Sequence, residues 1–120
     1  MRFVLVFCLA AAPSFAATVF GRLVDSNCYR SAQRNVNSKD GLTNVDRDQG
    51  MDIRMCYASS KTKSFTIVEP SGMSFMLDAA GDAKAGELLR KIGRHPGLYV
   101  NVTGEIAKNM IQVNSVMPAP

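Results

Sequence analysis

The stretch LYVNVTGEI, Leu98–Ile106, alternates without a break. Leu98, Val100, Val102, Gly104 and Ile106 fall on one side of an extended chain, and Tyr99, Asn101, Thr103 and Glu105 on the other. Successive side chains of a strand point to opposite faces, so the pattern predicts a strand with one apolar face and one polar face. Downstream, Lys108-Asn109 turns the chain into a last strand, Met110–Val116. Upstream the period changes. Ala85, Leu88, Leu89 and Ile92 fall at i, i+3, i+4 and i+7 and predict a helix over Asp82–Gly93, with Asp82 as its N-cap and Gly93 as its stop.

Two shorter runs precede that helix. SFTIVE, Ser64–Glu69, and MSFMLD, Met73–Asp78, read as strands, and Pro70-Ser71-Gly72 between them makes a hairpin. TVFGRLVD, Thr18–Asp25, reads as the first strand, with Gly21 permitting a bend or bulge. From Ser26 to Lys63 the chain is rich in Asn, Asp, Ser and Gly and poor in large apolar residues. It is expected to be one long polar loop carrying a short helix near Met51–Ala58. A loop of that length is functional or loosely held.

The predicted order is therefore strand, long loop, strand, strand, helix, strand, strand. This mainly β arrangement, β-β-β-α-β-β, is the element order of a small OB-like barrel. Order alone does not establish closure, and a small open β-sandwich stands as the alternative. No internal repeat, coiled coil or low-complexity tract interrupts the pattern.

The first residues bear on the compartment. Met1-Arg2 gives a positive start, FVLVFCLAAA (Phe3–Ala12) is an unbroken apolar run, and PSFA (Pro13–Ala16) places small residues at Ser14 and Ala16. That is the pattern of a secretory signal peptide, with cleavage expected after Ala16. The run is short of the roughly 20 residues that span a bilayer. Cys8 follows Phe7 rather than a small residue, so it is no lipoprotein cysteine and leaves with the leader. One domain is expected over residues 17–117, with a loose tail over 118–120. Of the 120 residues, Lys and Arg number 14 against 10 acids, a formal charge of +4 that falls to +3 once Arg2 is removed. The mild, dispersed excess makes nucleic acid an improbable partner. The expected location is secreted and periplasmic, with no stable membrane insertion after cleavage.

Several motifs together resemble a group of small secreted bacterial proteins. They are GRLVDSNC (Gly21–Cys28), which fits a G-x-[ILV]-x-D-S-x-C start, a cysteine ahead of the second strand, the middle segment AKAGELLRKIGRHPGLYVNVTGEI, and the close IQVNSV. The group also carries a late V-T-G-x-[IL] strand, here Val102–Ile106. The resemblance covers most of the chain outside residues 32–50. It implies a periplasmic OB-type barrel with no assigned activity. Two departures matter. Similar proteins often have a histidine shortly after the first cysteine, where this chain has Ser31-Ala32-Gln33. They often have a cysteine pair ahead of the second strand, where this chain has Cys56 alone with Asp52 four residues earlier. A metal or dithiol site built from those extra residues would be missing.

Cys28 and Cys56 remain in the exported chain. In an oxidising compartment, two cysteines of a small domain most often form a structural disulfide. This one would close a loop of about 29 residues, with roughly 3.5 kcal/mol of stabilisation by chain-entropy reasoning. A redox pair is disfavoured because such cysteines lie close in sequence. A thiolate zinc site needs three or four ligands, and the one histidine, His95, sits in a proline turn, GRHPG.

Asn44, Asp46, Asp48, Gly50 and Asp52 recur at alternate positions, a spacing that lets an open loop aim hard oxygens at calcium. The EF-hand pattern fails, since the glycine falls one place late and no bidentate glutamate follows. A solvated polar loop is the favoured reading. Weak cation binding through Asp46, Asp48 and Asp52, on the order of 0.1 to 1 mM, is the alternative.

Oligonucleotide or oligosaccharide binding on the barrel face is a further alternative, with Lys61, Lys63 and Tyr99 as candidate ligand-face residues. Phe65 and Phe75 have apolar neighbours at i+2, Ile67 and Leu77, and read as core rather than as a stacking platform. No catalytic triad, paired-carboxylate motif or phosphate loop is present, and one histidine offers little general-base chemistry. The methionines do not cluster as a copper motif would require and read as core filling. The chain is thus expected to be a non-enzymatic binding or envelope-associated module. No cofactor is expected, a monomer is expected, and no ligand is named.

Overall fold

The computed structural model describes residues 15–34, 45–93 and 97–120, leaving the side chains of Phe15, Arg34 and residues 45–49 outside the description. In chain order the elements are β1 (Phe15–Asp25), α1 (Ser26–Arg34), α2 (Val45–Met55), β2 (Phe65–Val68), β3 (Ser74–Leu77), α3 (Ala79–Ile92), β4 (Tyr99–Ala107) and β5 (Met110–Pro118). The strands form a closed barrel in the order β1-β2-β3-β5-β4.

Closure depends on β1. Its first part pairs antiparallel with β4, from Phe15↔Ile106 to Arg22↔Tyr99. Its last residues pair with β2, from Arg22↔Val68 to Asp25↔Phe65. Cleavage after Ala16 would remove only the Phe15↔Ile106 and Ala16↔Glu105 pairs. On the far side the barrel shuts through a short parallel seam, Met76↔Met110 and Leu77↔Ile111. Backbone bonds from Met76 N to Asn109 O (2.9 Å) and from Asp78 N to Ile111 O (3.1 Å) belong to the same seam.

The alternation of β4 is realised as predicted. Val100 and Val102 are wholly buried, and they join Val19, Leu23, Phe65, Ile67, Phe75, Leu77, Ile111 and Val113 in the interior. Phe65 and Phe75 are therefore core residues. Two close approaches need glycine. A Cβ on Gly21 would land on the carbonyl of Val68, and one on Gly104 on the carbonyl of Gln112. Gly104 also stands where the β4–β5 register shifts, so the late V-T-G sequence marks a bulge.

Helix α3 puts Ala85 and Leu89 into the interior cluster, with Leu88 packed beside them. It starts earlier than the periodicity predicts. Asp78, not Asp82, is the N-cap, and its Oδ1 accepts from Gly81 N at 2.9 Å and from Val113 N at 3.2 Å. One carboxylate thus ends β3, starts the helix and holds β5. Asp82 instead accepts the Phe65 N–H at 2.9 Å, tying α3 to the start of β2. Gly93 stops the helix as expected, with φ 78°.

The segment between β1 and β2 is not one long polar loop but holds two helices: α1, which the sequence does not announce, and α2, which overlaps the short helix expected near Met51–Ala58 but starts earlier and ends at Met55. Asp25 caps α1, its Oδ1 accepting from Cys28 N at 3.0 Å. Tyr29 of α1 and Cys56 after α2 pack with Val24 and Val68 from the outward faces of β1 and β2, beside Ala32 and Ile53. This second small core lies outside the barrel wall. Sequence composition hides it, because two strands supply half of its buried residues.

The Cys28–Cys56 disulfide is present, with an S–S distance of 2.06 Å and Cα atoms 5.5 Å apart. Around it, Asp25 N donates to Cys56 O (2.8 Å) and Ala58 N to Leu23 O (3.2 Å), so the chain leaving α2 runs alongside the end of β1. At the other end of the chain, β5 continues to Pro118, and Ala119 N donates to Tyr99 O at 2.9 Å, where the sequence suggests a loose tail. Among the described residues no helix is long and apolar enough to cross a membrane.

Candidate binding site

On β1 the inward residues are Val19, Gly21 and Leu23, which turns Phe20 and Arg22 outward. On β4 the inward Val100 and Val102 turn Tyr99 and Asn101 outward. Register then sets Arg22 beside Tyr99 and Phe20 beside Asn101. The Phe20 and Tyr99 rings stack, with centroids 4.9 Å apart and planes within 9°. The Arg22 guanidinium carbon lies 4.7 Å from the Tyr99 ring centroid, a cation–π contact. Phe20 is 43% exposed, so this aromatic cluster reaches solvent.

A cleft of about 500 Å³ opens beside it, within the usual range of small-ligand sites. Arg22 and Tyr99 line one side. The β2–β3 turn supplies Glu69, Pro70 and Ser71, and α2 supplies Gly50 and Ile53. Ser71 Oγ donates to Glu69 Oε2 at 3.1 Å. The Arg22 Nε is buried and has no hydrogen-bond acceptor among the described residues. A buried donor without a partner carries a desolvation penalty of about 1–3 kcal/mol, which an incoming oxygen would relieve.

A second cleft of about 320 Å³ lies between α1 and the outward faces of β2 and β3. Ser26 and Thr66 line it, their hydroxyls joined at 2.7 Å. Arg30 reaches over it to Met76, with Nη2 3.2 Å from Sδ.

The candidate residues named from sequence separate in space. Tyr99 lies in the larger cleft, but Lys61 and Lys63 are exposed on the approach to Phe65, at the opposite end of β2 from Val68. The three do not form one ligand face. Asp46, Asp48 and Asp52 fall within helix α2 rather than in an open loop. The side chains of Asp46 and Asp48 lie outside the described residues, and Asp52 accepts from Gln33 Nε2 at 2.8 Å. No group of three or more metal-ligating side chains occurs among the described residues. His95 and Cys8 lie outside them.

Phe20, Arg22 and Glu69 were not singled out by sequence reasoning. The available signal was the FGR triplet, a glycine flanked by two large outward residues. Its significance depends on the register with Tyr99, which no local pattern encodes. Comparison of the chain with family models, with curated proteins and with solved structures finds no match in any of the three.

Proposed function

We propose that the chain is an exported, monomeric OB-type barrel that acts by binding rather than catalysis, and that its recognition surface is the wall around Tyr99. The strand order, with α3 between β3 and β4, supports the OB assignment, with α1 and α2 as an insertion between the first two strands. The same arrangement supports kinship with small secreted bacterial barrels that share the G-x-[ILV]-x-D-S-x-C start. The leader pattern and the disulfide support export.

The observation that carries the binding reading is the cluster of Phe20, Tyr99 and Arg22, of which Tyr99 and Arg22 line a cleft of ligand size. A folding core would have covered these rings. Aromatic faces left at the surface beside a concavity, with an unpartnered buried donor, are what a binding site provides. The test is a thermal-shift screen of the oxidised protein against saccharides, oligonucleotides and peptides. A ligand that raises Tm, is recovered chemically unchanged and loses its effect in Tyr99→Ala supports the reading. Binding indifferent to Tyr99→Ala, or turnover of the ligand, overturns it.

A further inference from the structure

We infer that the cleft beside Tyr99 takes a saccharide, a neutral pyranose oligomer in particular; this rests on the binding reading above and specifies its ligand. Three features of the site select that chemistry. The first is the aromatic surface. The Phe20 and Tyr99 rings stack with nearly parallel planes, and Phe20, beside the cleft rather than in its lining, keeps an exposed part that can meet an apolar ring face at the cleft edge. The C–H face of a pyranose supplies one, and aromatic side chains hold such faces by contact area and by the negative charge of the π cloud.

The second feature is the presence of opposite polar groups in one lining, Arg22 on β1 and Glu69 just after its register partner Val68. Arg22 offers only donors, and the Glu69 carboxylate offers acceptors. Both line the cleft, yet no ion pair joins them among the described residues. A sugar hydroxyl both donates and accepts, so neighbouring hydroxyls on one ring can give to Glu69 and receive from the buried Arg22 Nε. Ser71, on the same turn, adds a hydroxyl of its own.

The third feature is what the cleft lacks. A nucleic-acid strand needs a basic track for its phosphates. Among the described residues Arg22 is the one cation of the lining, Glu69 offsets its charge, and Lys61 and Lys63 lie toward the other end of β2. A polyanion would bring its charge to a carboxylate. The same argument ranks neutral sugars above uronates.

Gly50 supplies an independent handle. It lines the cleft from α2, and a Cβ placed there meets nothing within 4 Å among the described residues. A larger residue at this position projects into open space without disturbing the core, and replacing a helical glycine favours the helix.

The experiment is titration calorimetry of the full oxidised protein with four probes: an N-acetylglucosamine oligomer, an oligogalacturonate, an oligothymidylate and a mixed peptide library. Wild type is expected to bind the neutral sugar oligomer. Phe20→Ala and Glu69→Gln are each expected to weaken it roughly tenfold or more, a loss of about 1.4 kcal/mol. Gly50→Leu is expected to abolish binding at unchanged or raised Tm, which separates blockage from unfolding. Uronate binding stronger than neutral binding overturns the preference for neutral sugars. Oligonucleotide or peptide binding that Gly50→Leu blocks overturns the saccharide assignment and leaves the binding reading standing. Sugar binding indifferent to Gly50→Leu and Phe20→Ala overturns the site. Absence of binding by every probe overturns both readings.

Discussion

The hydroxyls of Ser26 and Thr66 lie 2.7 Å apart, in residues only 3% and 5% exposed. Ser26 opens α1 and Thr66 sits in β2, so this hydrogen bond pins the inserted helices to the barrel wall. Ser26→Ala or Thr66→Val alone strands the other hydroxyl and should destabilise by about 1–3 kcal/mol. The double substitution leaves no unpaired group and should cost less than the sum of the two. Urea denaturation of the four proteins measures the coupling, and strict additivity would mean that the two hydroxyls act independently.

The disulfide should carry a large part of the stability. Replacing both Cys28 and Cys56 with Ser is expected to remove roughly 3.5 kcal/mol, lowering Tm by on the order of 15 °C or more. The loss should be local at first. Hydrogen exchange of the reduced protein should quicken in α1 and around Cys56, where the outer core of Val24, Tyr29 and Val68 depends on the link. The amides of Val100 and Val102 should keep their protection. Equal acceleration throughout would show that barrel and insertion melt as one unit.

Asp82 gives the fold a pH dependence. Burial raises its carboxyl above the ordinary 3.8; the Phe65 N–H opposes that shift and the charge of Asp78 adds to it. The folded state therefore holds this proton more tightly than the unfolded chain. Its contribution is full below about pH 3.8 and is lost as pH climbs through the raised folded value. Asp82→Asn keeps an oxygen for Phe65 and removes the charge. Its stability relative to wild type should grow across that window and level off at neutral pH. A difference that stays flat in denaturation curves from about pH 3.5 to about 7 would refute the assignment.

Gly21→Ala and Gly104→Ala should each be severe, because the new methyl meets a backbone carbonyl rather than a yielding side chain. A penalty of about 3 kcal/mol or more is expected for each, the scale of the strongest single-site effects. Gly50→Ala is the control and should be neutral or mildly stabilising, by up to ~1 kcal/mol. Tm values of the three variants suffice to check this order.

The barrel was legible where local pattern and tertiary fate agree. The alternation through Val100 and Val102 announces a strand because both residues are buried for the reason the pattern implies. The face of Ala85 and Leu89 announces α3 on the same ground. The cap was misplaced because Asp78 and Asp82 lie one helical turn apart and either suits a helix start. Of the inserted helices only the end of α2 was legible, because their apolar partners, Val24 and Val68, belong to strands. Helix α1 does segregate Tyr29 and Ala32 from its charged face, but the segment is only nine residues long and polar on average, so its composition reads as loop. The cleft was illegible for a related reason. Tyr99 could be named as exposed, but its neighbours Phe20 and Arg22 are some eighty positions away and meet it only through β-sheet register.

Two sulfurs hold the chain on either side of the inserted helices at a fixed 5.5 Å between Cα atoms. The barrel consequently experiences a constant boundary, provided that Tyr29, Ala32 and Ile53 still cover Val24 and Val68. Evolution, or a protein engineer, is free to rewrite the rest of that interval as a variable module. Such grafts would inherit an anchorage that never asks the underlying cylinder to adjust.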